Sequence, residues 1–350
     1  MSYDVVVVGG GIAGLTVAAL LSARGVNTCL LERNSQVGGC VARVEFAGHD
    51  FEPGMGLYTS FGPGEIYDRV FAELPVDLPE TSLIAGSDSF YSIKGGPANV
   101  AERLAESNKK SRGTLRLNSP VLRIAYDETG QRAMGVDLLS GEKVIARKAI
   151  VSNLTVWDTY GKLIGLNRTP LETKKLLKTL QGRGAYLVYA SLEESALLRL
   201  PGERFTINEF TVAIAPAGSA PPGKRAVTIK TDTDPEDWFA FQASEEEYEE
   251  RDQAALEQIW SRLHEVLPQL GSDIEIIETA NPRTFYELTR RKLGMVLGVE
   301  PNPTAASSAA IISHDTSLPN VFIVGDTITA TARMDAVVES ALALANKLTK

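Results

Sequence analysis

Cysteine is nearly absent from this chain: Cys29 and Cys40 are the only two in 350 residues. They form no Cys-x-x-Cys pair and no disulfide framework, which fits a reducing compartment. Histidine is as scarce. His49, His264 and His314 have no metal-ligand spacing with one another or with cysteine, so no metal centre is expected. Positive charge is in deficit, with 35 Lys and Arg against 44 Asp and Glu and a formal net charge of −9. No basic stripe offers itself to nucleic-acid phosphates. Simple electrostatic docking on an anionic membrane is disfavoured too, which leaves at most peripheral membrane contact. Long apolar runs are missing as well: the longest, around Ile12–Leu21, is far too short to span a bilayer. Met1-Ser2-Tyr3-Asp4 runs directly into a strand with no leader pattern, and the expected location is cytoplasmic. There is no Gly-x-Ser-x-Gly elbow and no carboxylate pair whose context suggests acid–base work.

What is present begins at once. The apolar run Val5–Val8 leads into Gly9-Gly10-Gly11-Ile12-Ala13-Gly14, and a second apolar run, Thr28–Leu31, ends in Glu32. Strand, glycine turn, helix, strand and acid are the fingerprint of a bound adenine dinucleotide. Gly9 allows the turn, Gly11 lets the backbone approach a pyrophosphate, and Gly14 lets the helix pack close on the sheet. The helix start offers N–H groups and a positive dipole end to the phosphates. Glu32 is placed to accept hydrogen bonds from ribose hydroxyls.

Along the rest of the chain, helix Ile12–Arg24 stops at Gly25, and a second glycine pair follows in Gln36–Cys40. Val44–Phe46 and His49–Phe51 read as a hairpin. One helix is expected around Glu65–Leu74 and another from Gly95 to about Ser107. Thr114–Leu117, Val121–Tyr126, Arg132–Leu138 and Lys143–Ala146 read as a meander, followed by a separate buried strand, Ala149–Ser152. The middle contains a lysine-bearing helix, Leu171–Leu180. Ser244-Glu245-Glu246-Glu247 is a capping box opening a long helix with the apolar face Leu256, Ile259, Trp260, Leu263 and Leu267. Val321–Val324, Gly325-Asp326 and a helix from Met334 to Leu348 return to the α/β style.

In that order these motifs resemble a known family. The glycine turn with Glu32, Leu31-Glu32-Arg33 before Gly38-Gly39-Cys40, Phe51–Gly54, Lys94–Gly96, Val151-Ser152-Asn153, Asn281–Phe285 and Leu318–Asp326 are similar to the phytoene desaturase, carotenoid isomerase and retinol saturase branch of the flavin amine-oxidase superfamily. The resemblance implies an α/β fold. A Rossmann-type domain of the glutathione-reductase and amine-oxidase kind would bind flavin adenine dinucleotide (FAD), beside a smaller mixed-sheet α+β substrate domain. The cofactor domain would take about 1–60, 95–155 and 282–350, and the substrate domain about 61–94 and 156–281.

It further implies that Gly9, Gly11, Ile12, Ala13, Gly14, Glu32, Arg33, Gly38, Gly39 and Cys40 hold the nucleotide, with Val121 touching adenine through its backbone. Gly325 and Asp326 would bind the phosphate–ribityl portion. Arg333, Met334 and Ala336 would lie under flavin N1 and O2, where helix N–H groups stabilise negative charge. Arg333 reads equally as a salt-bridged arginine at a helix start. Tyr58 is a candidate to face the substrate, or a core tyrosine. Lys94 and Lys230 are weighed because flavin amine oxidases place a lysine near N5, but neither stands in a context that marks it. Cys40 stands where the amine-oxidase branch often has arginine, and reads as a small packed thiol.

Relatives are usually longer, mostly between Gly54 and Gly95, which shifts the expected substrate from a long carotenoid to a smaller or differently shaped apolar molecule. The expected function is hydride transfer between a carbon–carbon bond of an apolar, unsaturated, isoprenoid-like substrate and flavin N5. That covers desaturation, saturation and isomerisation. An amine or amino-acid oxidase and a non-catalytic flavin-binding scaffold are the alternatives, and the absence of an aromatic residue in Arg333–Ser340 counts against the former. The electron acceptor and the oligomeric state stay open.

Overall fold

Uninterrupted Val and Leu runs bounded by glycine form strands buried on both faces, and they make the centre of this molecule. The computed structural model describes residues 1–53, 58–84, 89–239, 244–301, 313–329 and 331–350. Gly54 of the Phe51–Gly54 motif lies outside these residues.

Strand β1 (Ser2–Val8) leads through the glycine turn into helix α1 (Ile12–Ala23), and β2 (Thr28–Leu31) pairs parallel to β1. Helix α2 (Gly96–Lys110) covers the same face as α1, and strand β3 (Lys143–Ser152) pairs along the other edge of β1. In the second half come β4 (Gly184–Glu193), β5 (Lys224–Thr233), helix α3 (Glu245–Val266), helix α4 (Pro282–Thr289), β6 (Val321–Ile323) and helix α5 (Met334–Leu348).

The first sheet has seven strands in the order Thr114–Arg116, β2, β1, β3, Ala133–Leu138, Val121–Tyr126, with β6 parallel to the far half of β3. Two expectations are corrected here. Thr114–Arg116 is no part of a meander, because it lies parallel to β2 at the opposite edge. Lys143–Ala146 and Ala149–Ser152 are one strand. The charged pair Arg147-Lys148 that marked a break turns out to the surface, where both side chains meet Asp4 at 3.0 and 3.7 Å across an irregularity in β1.

Segment 61–94, expected with the smaller domain, packs Phe61, Ile66, Tyr67, Val70 and Phe71 into the core shared by α1 and α5. Likewise Val156, Trp157, Tyr160 and Leu163 join the core on the other face, with Val6 and Ile150. Their apolar side chains find the larger sheet nearer than the smaller one.

The second sheet is antiparallel, ordered Arg204–Ile207, Phe210–Ile214, β5, β4, Ile274–Ala280. Along β4 the side chains alternate between two cores. Tyr186, Val188, Ala190 and Leu192 face α3, while Ala185, Leu187 and Tyr189 pack with Phe51, Val296 and Leu297 on the side of the first sheet. The capping box of α3 forms in both directions: Ser244 Oγ accepts from Glu247 N and Glu247 Oε2 accepts from Ser244 N. Its apolar face is the expected one, with Leu263 and Leu267 buried and Leu256, Ile259 and Trp260 packed against the cluster. Among the described residues no helix is long and apolar enough to cross a membrane.

Leu263 is fully buried at the centre of the α3 contact. Leu263→Ala is expected to cost about 2–5 kcal/mol, read as a lowered urea midpoint with the slope unchanged.

Candidate active site

The glycine turn is built by close approach. A Cβ on Gly14 would collide with the carbonyl oxygen of Gly9, so α1 sits directly on the end of β1. Asn153, the residue after β3, ties this junction together. Its N–H donates to Val8 O at 2.8 Å. Its side-chain oxygen accepts from the N–H groups of Gly11 and Gly14 at 3.2 Å, and its amide nitrogen donates to Val324 O at 3.3 Å. Glu32, at the end of β2, reaches back to the turn: Oε2 accepts from Gly10 N at 2.6 Å and Oε1 from Asn34 N at 2.8 Å. The second glycine pair closes the other side, with Gly38 N donating to Gly10 O at 2.9 Å.

These elements open on a cavity of about 1080 Å³. Of the expected nucleotide and flavin residues, Gly9, Gly11, Ile12, Ala13, Glu32, Arg33, Gly38, Gly39, Cys40, Val121, Gly325, Asp326, Arg333 and Met334 line it, as does Tyr58. Two do not. Gly14 is under the helix, where its role is packing. Ala336 is turned off the wall, and its N–H is taken by Asp335 Oδ1 at 2.9 Å. Lys230 lines the cavity, whereas Lys94 is an exposed partner of Glu80. None of the three histidines lies on the wall: His49 bonds Ser191 and Ala47 O, His264 bonds Trp260 O and Gly271 O, and His314 bonds Ile323 O.

Electrostatics set the wall apart from the rest of the chain. Arg33, Lys162, Arg183, Lys230, Arg290, Arg291 and Arg333 line it, against Glu32, Asp158 and Asp326. A cation excess inside a protein of net charge −9 suits an anionic ligand. Arg333 is also the salt-bridged arginine of the plainer reading: Nη2 meets Asp335 Oδ2 at 2.5 Å and Thr59 Oγ1 at 2.6 Å. Burial works against the Asp335 charge, but Arg333, Ser60 and Thr59 hold its pKa below the usual value. Burial pushes the Cys40 thiol up, so it stays protonated and packs as a small apolar group.

Sequence reasoning missed three groups on or under this wall. Asn153 was noticed within a motif but given no role. Asp158 is buried and accepts from Thr155 Oγ1 at 2.6 Å and Lys292 N at 3.0 Å, with Lys162 Nζ at 2.7 Å. Arg291 pairs with Asp326, Nη2 to Oδ2 at 2.6 Å. In the sequence it is one of three consecutive cations, Arg290-Arg291-Lys292, with nothing to single it out.

Such a fold and cavity define a Rossmann-type flavoprotein of the oxidoreductase class. Comparison with known proteins makes this particular. Residues 7–74 match the NAD(P)-binding Rossmann-like domain, and residues 71–349 match the flavin containing amine oxidoreductase family. The chain belongs to that family, and its cofactor is FAD. It is 27% identical over 251 residues to a prolycopene isomerase of Daucus carota, across 66% of this chain and 40% of that protein. A 69-residue stretch is 42% identical to a carotenoid 3,4-desaturase of Haloarcula japonica, covering 20% of this chain and 13% of the other. The chain thus spans about 40% of the length of the isomerase. An oxidoreductase from Methanosarcina mazei shares the fold with a TM-score of 0.72 at 15% identity, over 99% of this chain and 100% of that one.

The residues present fit FAD, with a glycine cradle that a Cβ would fill, a buried acid beside it and a cationic wall. Gly14→Ala is expected to yield colourless protein, since α1 must lift from Gly9. Glu32→Ala and Asp326→Ala should each weaken FAD retention by about tenfold or more. Titration of the apoproteins with FAD checks all three.

Proposed function

We propose that this protein is a hydride-transferring flavoenzyme for a carbon–carbon bond of an apolar, unsaturated, isoprenoid-like molecule, working as a desaturase, saturase or isomerase. The observation that carries this reading is the 251-residue likeness to a prolycopene isomerase. Bound FAD supplies the hydride acceptor or donor at flavin N5. The chain's part is to bind, orient and exclude water.

The first turn of α1 and the 38–40 turn take the diphosphate, Glu32 takes the ribose, and the Gly325-Asp326 step after β6 takes the ribityl chain. Beyond them the wall is largely apolar, with Leu154, Leu163, Val296, Leu297, Met334 and Val337. An apolar wall excludes water and accepts a hydrocarbon without hydrogen bonds to satisfy. Tyr58 is the one aromatic residue among the described lining residues. Its hydroxyl is buried without a hydrogen-bond partner, and burial raises its pKa. Tyr58 therefore keeps its proton at neutral pH, and its hydroxyl is closed off from the cavity.

One observation favours the amine-oxidase reading. Lys230 lines the cavity, with Nζ held by Asp232 at 2.7 Å. Against it stands the single aromatic on the described wall, where a cage around an amine asks for more.

The experiment is anaerobic mixing of the FAD-loaded protein with polyenes and isoprenoid alkenes, and separately with primary amines, while the visible flavin band is followed. Because isomerisation or saturation leaves no net bleaching, each polyene mixture is also run with dithionite-reduced protein and its products are separated by chromatography. Bleaching or product formation with the polyenes is expected. Bleaching by amines alone would overturn the proposal in favour of the oxidase.

A further inference from the structure

We infer that Arg291 is a cofactor-binding residue, presenting its guanidinium to the dinucleotide's diphosphate from the wall opposite the start of α1. The inference rests on the reading of the cavity as the FAD site.

The argument starts from charge. Asp326 lines a cavity whose cofactor is anionic, and a bare carboxylate there would repel a diphosphate. Arg291 neutralises it, at 2.6 Å, and burial leaves the guanidinium little other solvation: its side chain is 15% exposed. Although burial disfavours the cation, Asp326 and the other acids around it raise its pKa, so it stays charged. A guanidinium has five N–H donors in a planar fork. Nε donates to Met295 O at 2.5 Å, and one Nη2 hydrogen goes to Asp326. The other three have no partner among the described residues, yet the side chain lines the cavity. Largely buried, charged and under-used, this group has donors left over for a second anion.

Local structure holds it there. Asn281 caps α4 through Arg283 N and Thr284 N, and the helix stops at Arg290 in the left-handed region, φ 55°. A left-handed step at Leu293 and Gly294 follows, and a Cβ on Gly294 would collide with the Pro282 carbonyl. The chain between these turns is therefore fixed, and α4 packs on the 39–41 turn. Gly39 in that turn lies against Gly11, with its would-be Cβ 3.4 Å from the Gly11 Cα. Arg291 is thus carried on the segment that covers the glycine turn.

The test is FAD affinity of the apoprotein by calorimetry at several salt concentrations, for wild type, Arg291→Met, Arg291→Lys, Asp326→Asn and the double variant Arg291→Met/Asp326→Asn. Arg291→Met is expected to bind FAD at least about tenfold more weakly and with a shallower salt dependence. The double variant should bind FAD at least about threefold more weakly than Asp326→Asn alone. If the arginine served only to neutralise Asp326, the double variant would match Asp326→Asn, and that result would overturn the inference. So would an Arg291→Met affinity within about twofold of wild type. Should Arg291→Met not fold, Arg291→Lys carries the test: it keeps the charge balance but loses the fork, with about three- to tenfold weaker FAD expected. Unchanged FAD affinity in a folded Arg291→Lys protein overturns the inference. Failure of the wild type itself to take up FAD would instead sink the reading of the cavity.

Discussion

The seat of α1 on the ends of β1 and β3 is the contact on which the site depends. With no side chain on Gly14, the helix descends until its backbone touches Gly9 O, and Asn153 sits beneath, its side-chain oxygen accepting from Gly11 N and Gly14 N while its own N–H donates to Val8 O. Three other pieces of the cavity wall take their position from that junction. β2 beside β1 brings Glu32 to the turn, the 38–40 segment pairs with Gly10, and β6 beside β3 delivers Gly325 and Asp326. A helix standing one methyl group higher would leave the turn, the acid and the aspartate without a common centre.

Much of this was legible because the signals are local. The hairpin Val44–Phe46 and His49–Phe51, strand Thr28–Leu31 and helix Met334–Leu348 appear with the boundaries that glycine, periodicity and capping dictate. Motif order also led to the family and its cofactor. The misreadings came from long-range packing. Arg147-Lys148 looked like a strand break only because Asp4, far away in sequence, was not visible as their partner. Segment 61–94 was placed with the smaller domain by the family resemblance, and its Phe61, Ile66, Tyr67, Val70 and Phe71 lie in the core shared by α1 and α5. Arg291 was hidden for the same reason: nothing in Arg290-Arg291-Lys292 distinguishes the inward cation from its neighbours.

The two sheets divide the work unequally. The first sheet brings the glycine turn and, at its strand ends, Glu32 and Asp326 to the cavity. The antiparallel sheet presents side chains: Lys230 from β5 and Arg183 just ahead of β4 reach the cavity, linked by Asp232. Because β4 is buried on both faces, its own residues are committed to packing. Change in what the cavity accepts must come from the strand ends and from the chain that passes between the two layers.

The wall of the cavity draws on segments far apart in sequence, Gly9 to Cys40 and Asp326 with the start of α5 among them. During synthesis the glycine turn and β2 leave the ribosome long before their counterparts exist. The nascent chain then holds a nucleotide cradle whose far side is missing, and α1 has lost the partner that α5 will provide. The cavity wall is therefore complete only once residues 325–337 have emerged, so a chain still short of them has no closed wall.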